Sequence, residues 1–336
     1  MGGKKNGETW QIIKSKRTIK LERLNVSEKI FGDFLDSKRK NSSPLNNRTL
    51  EELRFGTKNF GQYAGKTASI SFADTKVPAR DGFLLSIRCF NDHLPKETPV
   101  LIFYPGCAFV FDLFEVNSVI CSRIAQAAGI KVILIQFRLA PENPMSTSLY
   151  DSYDAALYIS KNAEYFGIDR KKIFLGGWCS GAQCATVVAS LARQSMDFDV
   201  YHQILLGGSF DLAHSAHDFD DYENQDKTIS RRFLSHLAIR YYSMTDQQDP
   251  FFPPYYETNF KRFPSTTLLC GEYDALGNDS EIYFQKFITA NIPVEKIILK
   301  GQTHNTIAMR TILPEGPDPA EVIGKVIQTK LSSLNR

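Results

Sequence analysis

Short apolar runs alternate with longer amphipathic ones along most of this chain, and that alternation constrains its fold more than any other feature. PVLIFYPG (99–106), KVILIQF (131–137), KKIFLGG (171–177), YHQILLGG (201–208), STTLLCG (265–271) and VEKIILK (294–300) are β-rich runs of strand length. Between them fall stretches with apolar residues at helical spacing: about Val116 to Ala127, SLYDSYDAALYISKNAEYF (148–166), about Ser180 to Ala192, about Asp279 to Ala290, and a last one after PEGPDPAEV. TASISFAD (67–74) and GFLLSIRCF (82–90) read as two further strands around the turn-prone VPARDG. Strands alternating with helices predict an α/β fold, a mostly parallel twisted sheet covered on both faces. Active sites of such sheets lie beyond the carboxyl ends of the strands.

Two stretches break the alternation. The segment 1–65 and an insertion at about 209–262 look helical, and the second is rich in aromatics, including Phe233, Tyr241, Tyr242, Phe251, Phe252, Tyr255 and Tyr256. No Pro/Gly/Ser linker separates them from the rest, so the expectation is one domain over 66–336. The insertion and the N-terminal segment would together form a helical lid over an apolar pocket. Aromatic filling of a small helical layer is the plainer account of any one of those rings.

Composition limits the function classes. With 43% hydrophobic and 23% charged residues, 336 residues can bury a sizeable core. Forty Lys+Arg against thirty-seven Asp+Glu leave a formal charge of +3, too weak a bias to indicate nucleic acid or an anionic membrane as a partner. Basic residues crowd the first fifty positions, as in KSKRTIK and KRKNSS, which reads as a solvated segment. Six cysteines show no CxxC or Cys/His spacing, so no metal and no cofactor are expected, and most should be buried and reduced. MGGKKNGETW has no apolar signal core and no stretch is long enough to span a bilayer, which predicts a cytoplasmic monomer or homodimer.

FLGGWCSGAQCA (174–185) carries the sharpest chemical signal. A strand ends in Gly-x-Cys-x-Gly and turns at once into small, helix-compatible residues, the arrangement that lifts a nucleophile onto a strained elbow above a sheet. Cys179 occupies the elbow and Ser180 the next position, where the backbone N–H matters and the side chain points away. An elbow nucleophile needs an acid and then a histidine, each just past a later strand. LLCGEYDAL supplies Asp274 and IILKGQTHN supplies His304. Alone, Asp274 reads as a turn or helix cap and His304 as a loop histidine; in this order they fit a triad.

From about Thr67 to Gln328 the chain resembles the hormone-sensitive-lipase-like branch of the α/β-hydrolase fold. QFRLAPENP resembles that family's DYRLAPExP segment, KKIFLGGWCSGAQCA its RIxVxGDSAGGNLA elbow, GEYDALGNDSE its acid loop GxxDxLxDEGE, and GQTHN its histidine loop. VLIFYPGCAFV aligns with the strand bearing its HGGGF oxyanion motif. The resemblance implies Cys179 as nucleophile, His304 as base and Asp274 as its orienting acid. It implies an oxyanion hole from the N–H groups of Cys107, Ala108 and Ser180, with Gly106, Phe109 and Trp178 contacting substrate. Pro105, Cys107, Ala108, Trp178 and Cys179 depart from the family's His, two glycines, Asp and Ser.

A Cys-His-Asp set is a competent triad, since an imidazole can take the proton of a thiol. Thiolate is also a better leaving group than alkoxide, which favours thioesters, activated esters and lactones. The expected activity is hydrolysis of small-molecule acyl esters, thioesters or lactones through an acyl-enzyme. The competing expectation is a catalytically silent ligand-binding or scaffold protein with the same pocket. A weaker third reading is a reversible disulfide between Cys107 and Cys179.

Overall fold

The computed structural model describes residues 10–13, 49–58, 60–210, 226, 229, 231–242, 259–311 and 316–333. Among them, nine strands form one sheet: β1 (Trp10–Ile13), β2 (Phe72–Pro78), β3 (Leu84–Phe90), β4 (Thr98–Tyr104), β5 (Lys131–Gln136), β6 (Ile168–Trp178), β7 (His202–Leu206), β8 (Thr266–Gly271) and β9 (Val294–Leu299). Their order is β1-β9-β8-β7-β6-β4-β5-β3-β2. Strands β5, β4, β6, β7, β8 and β9 run parallel; β3 and β1 run against them, and the edge strand β2, paired antiparallel with β3, runs in the same sense as the parallel set. The α/β class read from the alternation is the observed one.

The helices are α1 (Leu50–Lys58), α2 (Gly61–Ala64), α3 (Phe114–Ala128), α4 (Met145–Lys161), α5 (Ala163–Phe166), α6 (Ser180–Ser195), α7 (Arg231–Tyr241), α8 (Gly277–Thr289) and α9 (Pro319–Ser332). Strands β7 and β8 are buried along their whole length, polar starts included, as expected of central strands covered on both faces. Helix α3 packs with α9 and α4 with α6 to provide that cover. Gly324 lets α9 approach α3 closely, since a Cβ there would stand 2.7 Å from the Cβ of Ala127.

The LAPE segment is an ion-pair joint that pins the exit of β5. Asp151, fully buried on α4, accepts from the Arg138 backbone N–H at 3.0 Å and from its guanidinium at 2.9 and 2.7 Å. Arg138 also donates to Asp81 at 2.7 Å. Glu142 accepts a bidentate pair from Arg54 of α1 at 2.6 and 2.8 Å, and Arg54 further donates to the carbonyls of Ala140 and Val110. Such planar two-point contacts fix orientation as well as distance.

Two readings change. The strand expected at 67–74 runs instead from Phe72 to Pro78, because Val77 and Pro78 continue the ladder opposite Leu85 and Leu84. Proline is tolerated there because β2 is an edge strand. The N-terminal segment, expected to be helical, contributes a strand at Trp10–Ile13, where tertiary pairing with β9 decides the conformation. Residues 1–9 and 14–48 lie outside the described residues, as do 211–225 and 243–258, and with them most of the expected lid, including Phe251, Phe252, Tyr255 and Tyr256. No helix among the described residues is long and apolar enough to cross a membrane.

Candidate active site

The strand order reverses direction between β4 and β6: from β4 the chain moves to β5 on one side, then returns to β6 on the other. A crevice opens at such a point beyond the strand ends. The loop after β4 and the junction of β6 with α6 meet there, and the loops after β7, β8 and β9 follow along the same edge.

Cys179 sits at that junction with φ 56° and ψ −119°. A non-glycine residue with this backbone is strained by about 1–3 kcal/mol and persists only where its surroundings enforce it. Here its N–H donates to the Leu206 carbonyl at 2.9 Å, and its carbonyl accepts from Ala182 at 3.1 Å and Ser209 at 3.3 Å. Close approach does the rest: a Cβ on Gly177 would lie 2.3 Å from the Gly181 carbonyl, and one on Gly181 would lie 2.0 Å from the Tyr104 carbonyl oxygen. The glycines of the Gly-x-Cys-x-Gly step thus let α6 start directly against β4 and β6.

Beyond β8 and β9 the acid and the histidine come together. His304 Nδ1 lies 2.9 Å from Asp274 Oδ1; a carboxylate accepts only, so Nδ1 carries the proton and Nε2 is left for other chemistry. Asp274 Oδ1 also accepts from the Leu276 N–H at 2.8 Å. His304 Nε2 and Asp274 Oδ2 are buried and make no hydrogen bond to the described residues. Burial opposes a charge on His304, but the Asp274 carboxylate and the neighbouring Cys179 sulfur outweigh it and hold the imidazole well above its usual range. The Trp178 ring packs against the imidazole with centroids 5.6 Å apart. Cys179, His304 and Asp274 are all buried.

The oxyanion expectation needs correcting at Cys107. Its N–H donates to Ser180 Oγ at 3.0 Å, so it presents no free donor, while the Ser180 hydroxyl in turn faces the Pro105 carbonyl at 3.4 Å. Ser180 therefore braces the loop after β4. Ala108 and Phe109 follow with φ 46° and 56°, and the Ser180 N–H opens α6, where no carbonyl one turn back can accept it within the helix. Gly106 donates its N–H to Asn117 Oδ1 at 3.0 Å. Phe109 is fully buried, edge-on to Tyr242 at 5.8 Å, and Trp178 is nearly so.

Residues from outside the motifs also reach the site: Phe233 and Tyr242 come from the aromatic insertion, whereas Asp226 had no sequence signal of its own. The Tyr242 hydroxyl, just past α7, donates to the Ala108 carbonyl at 2.8 Å, and Phe233 of α7 stacks on Phe111 at 6.1 Å. Burial pushes the Tyr242 hydroxyl well up, and the sulfurs of Cys179 and Cys107 add to that. Asp226, also buried, accepts from the N–H groups of His304 and Ala275. Gly207 abuts the Asp274 carboxylate. All six cysteines are free thiols. A surface groove of about 380 Å³ lies elsewhere, lined by Asp74, Lys76, Arg88, Asp112, Glu115 and Gln136 among others, none of them at the elbow or on the acid and histidine loops.

Comparison with known proteins follows the same outline. The sequence profile of the alpha/beta hydrolase fold matches residues 101–308, from β4 to just past His304. An ethyl acetate hydrolase of Pseudomonas putida is 24% identical over 266 residues, 77% of this chain and 83% of the relative. An arylesterase of Saccharolobus solfataricus is 23% identical over 233 residues, 69% of this chain and 75% of the relative. The structure of a hyperthermophilic esterase from the archaeon Pyrobaculum calidifontis superposes with a TM-score of 0.80 at 22% identity, covering 90% of this chain and 98% of that one. With more than half its length matched by that profile, and with relatives named as esterases, the chain belongs to the α/β-hydrolase fold family.

Proposed function

We propose that this protein hydrolyses small-molecule carboxylic esters or thioesters by a Cys179–His304–Asp274 triad through an acyl-enzyme. The observation that carries the reading is the pairing of His304 Nδ1 with Asp274 at 2.9 Å beside a cysteine held on a positive-φ elbow. His304 takes the Cys179 proton, and the thiolate attacks the acyl carbon, forming a carbon–sulfur bond as the carbonyl electrons move onto oxygen. The N–H groups of Ala108 and Ser180 receive that oxygen. Collapse breaks the bond to the leaving group, which departs with the proton from His304. Water then attacks the thioester with His304 as base, releasing the acid and restoring the thiol. The Asp274 carboxylate, which favours charge on the imidazole, makes His304 a stronger base toward the Cys179 thiol.

The lid reading belongs to the same proposal. Tyr242 on the Ala108 carbonyl and Phe233 on Phe111 support a cover over the loop after β4, formed by 209–262 together with the N-terminal segment 1–65. The reaction is placed in the cytoplasm, in a monomer or homodimer, with thioesters, activated esters and lactones as the favoured substrates. The silent-binding reading draws on one observation, the loss of the Cys107 N–H to Ser180, which leaves two donors where three were expected.

Intact-protein mass spectrometry after exposure to p-nitrophenyl acetate, with acetate release measured in parallel, separates the two. Acylation should appear in the parent, persist in Ser180→Ala and vanish in Cys179→Ala, with product released. Labelling that follows Ser180 overturns the nucleophile, and binding with neither acylation nor product overturns the enzyme.

A further inference from the structure

The Asp274–His304 pair is assembled from two loops, and one side chain from a distant stretch joins their backbones. Asp226 Oδ2 accepts from the His304 N–H at 2.9 Å and from the Ala275 N–H at 3.1 Å. Only 3% of the residue is exposed. One donor belongs to the histidine itself and the other to the residue directly after the acid, so a single oxygen sets the spacing between the two backbones. The Tyr273 N–H to the Gln302 carbonyl at 2.9 Å and the Gly301 N–H to Glu272 at 2.9 Å also tie these loops, but neither bond ends on His304 or on a residue after Asp274. Hydrogen bonds to a carboxylate are shorter and stronger than neutral ones, and without it both buried N–H groups lose this acceptor.

We propose that Asp226 is the positioning residue of the triad, holding the acid loop and the histidine loop at the separation that lets His304 pair with Asp274; this rests on the Cys-His-Asp reading above. At these loops Asp226 accepts from backbone N–H groups. The groups that set the charge of the imidazole are Asp274 and Cys179.

The test uses the full chain with two substitutions and two readouts: kcat and KM on p-nitrophenyl acetate, and the titration of the His304 imidazole by NMR, assigned with His304→Gln. Asp226→Asn keeps an oxygen that accepts both N–H groups, so kcat should stay within about threefold and the imidazole midpoint should not move. Asp226→Ala should lower kcat by about 10- to 100-fold with KM little changed, the range expected when reacting groups are displaced by up to about 1 Å. Its imidazole midpoint should fall toward the ordinary histidine value, because a looser Asp274 supports the charge less. Should Asp226→Ala not fold, Asp226→Glu, which keeps the charge but carries its oxygens one methylene further, is expected to show the same losses. Parent-like kcat and midpoint in the variant that removes or misplaces the oxygen overturn the proposal, as does an Asn variant as impaired as Ala. The titration needs no turnover, so it decides the role of Asp226 even where failure to acylate Cys179 has removed the hydrolase reading.

Discussion

Gly207→Ala places a single methyl group where the sheet meets the triad. Gly207 follows β7 with φ +50° and donates its N–H to the Leu269 carbonyl at 2.7 Å. A Cβ there would lie 2.8 Å from Asp274 Oδ2 and 3.3 Å from His304 Nδ1. To regain ordinary van der Waals contact the carboxylate must retreat by roughly 0.6 Å, which stretches the 2.9 Å bond to His304 to roughly 3.5 Å, the limit of a useful hydrogen bond. Losing that alignment should lower kcat by about 10- to 100-fold. The left-handed backbone adds about 1–2 kcal/mol of destabilisation for alanine, a fall of a few degrees in Tm. Gly129→Ala isolates that second effect, since Gly129 has φ +67° and no atom within 4 Å of its Cβ position. Both variants should lose similar Tm by thermal denaturation, and only Gly207→Ala should lose esterase kcat. Activity of Gly207→Ala within twofold of the parent, or an equal activity loss in Gly129→Ala, refutes the reasoning.

Two further outcomes concern stability. Arg138→Met strands the fully buried Asp151 carboxylate without its guanidinium partner, which should cost about 3–5 kcal/mol in denaturant unfolding; the double variant Arg138→Met/Asp151→Leu should recover much of that loss. His202, between Ser265 Oγ at 2.7 Å and Thr267 Oγ1 at 2.8 Å, is pushed down to about 3 by burial, with a smaller contribution from Lys330. Because the folded value lies below the unfolded one, the unfolded chain binds the extra proton. The contribution is complete above about pH 6.5 and is lost on acidification at about 1.4 kcal/mol per pH unit, or about 2.7 kcal/mol by pH 4.5. His202→Gln should flatten that dependence in urea unfolding across the same range, and an unchanged slope refutes it.

Much of this architecture was legible from residue order. β4, β5, β7, β8 and β9 each carry an apolar run close to turn residues, and a period of two or 3.6 is a local property that survives into the fold. Gly177, Cys179 and Gly181 placed the elbow because close packing of α6 on β4 tolerates no Cβ at either glycine. At the edges the sequence was less informative. WQII is four residues in a polar stretch, and only pairing with β9 makes it a strand.

What the sequence by itself determined is the order of elements and which residues stand just past the strand ends, Cys179, then Asp274, then His304, since each follows from a few neighbouring residues. What only the tertiary structure decided is who meets whom. Placing β4 beside β6 brings the Cys107 N–H onto Ser180, 73 residues away, a pairing that the motif alone does not reveal. Asp226 reaches across 78 residues to His304, and Gly207 closes against Asp274. Buried polar atoms must find partners wherever the packed chain presents them, and that choice is made in three dimensions, beyond the reach of any local pattern.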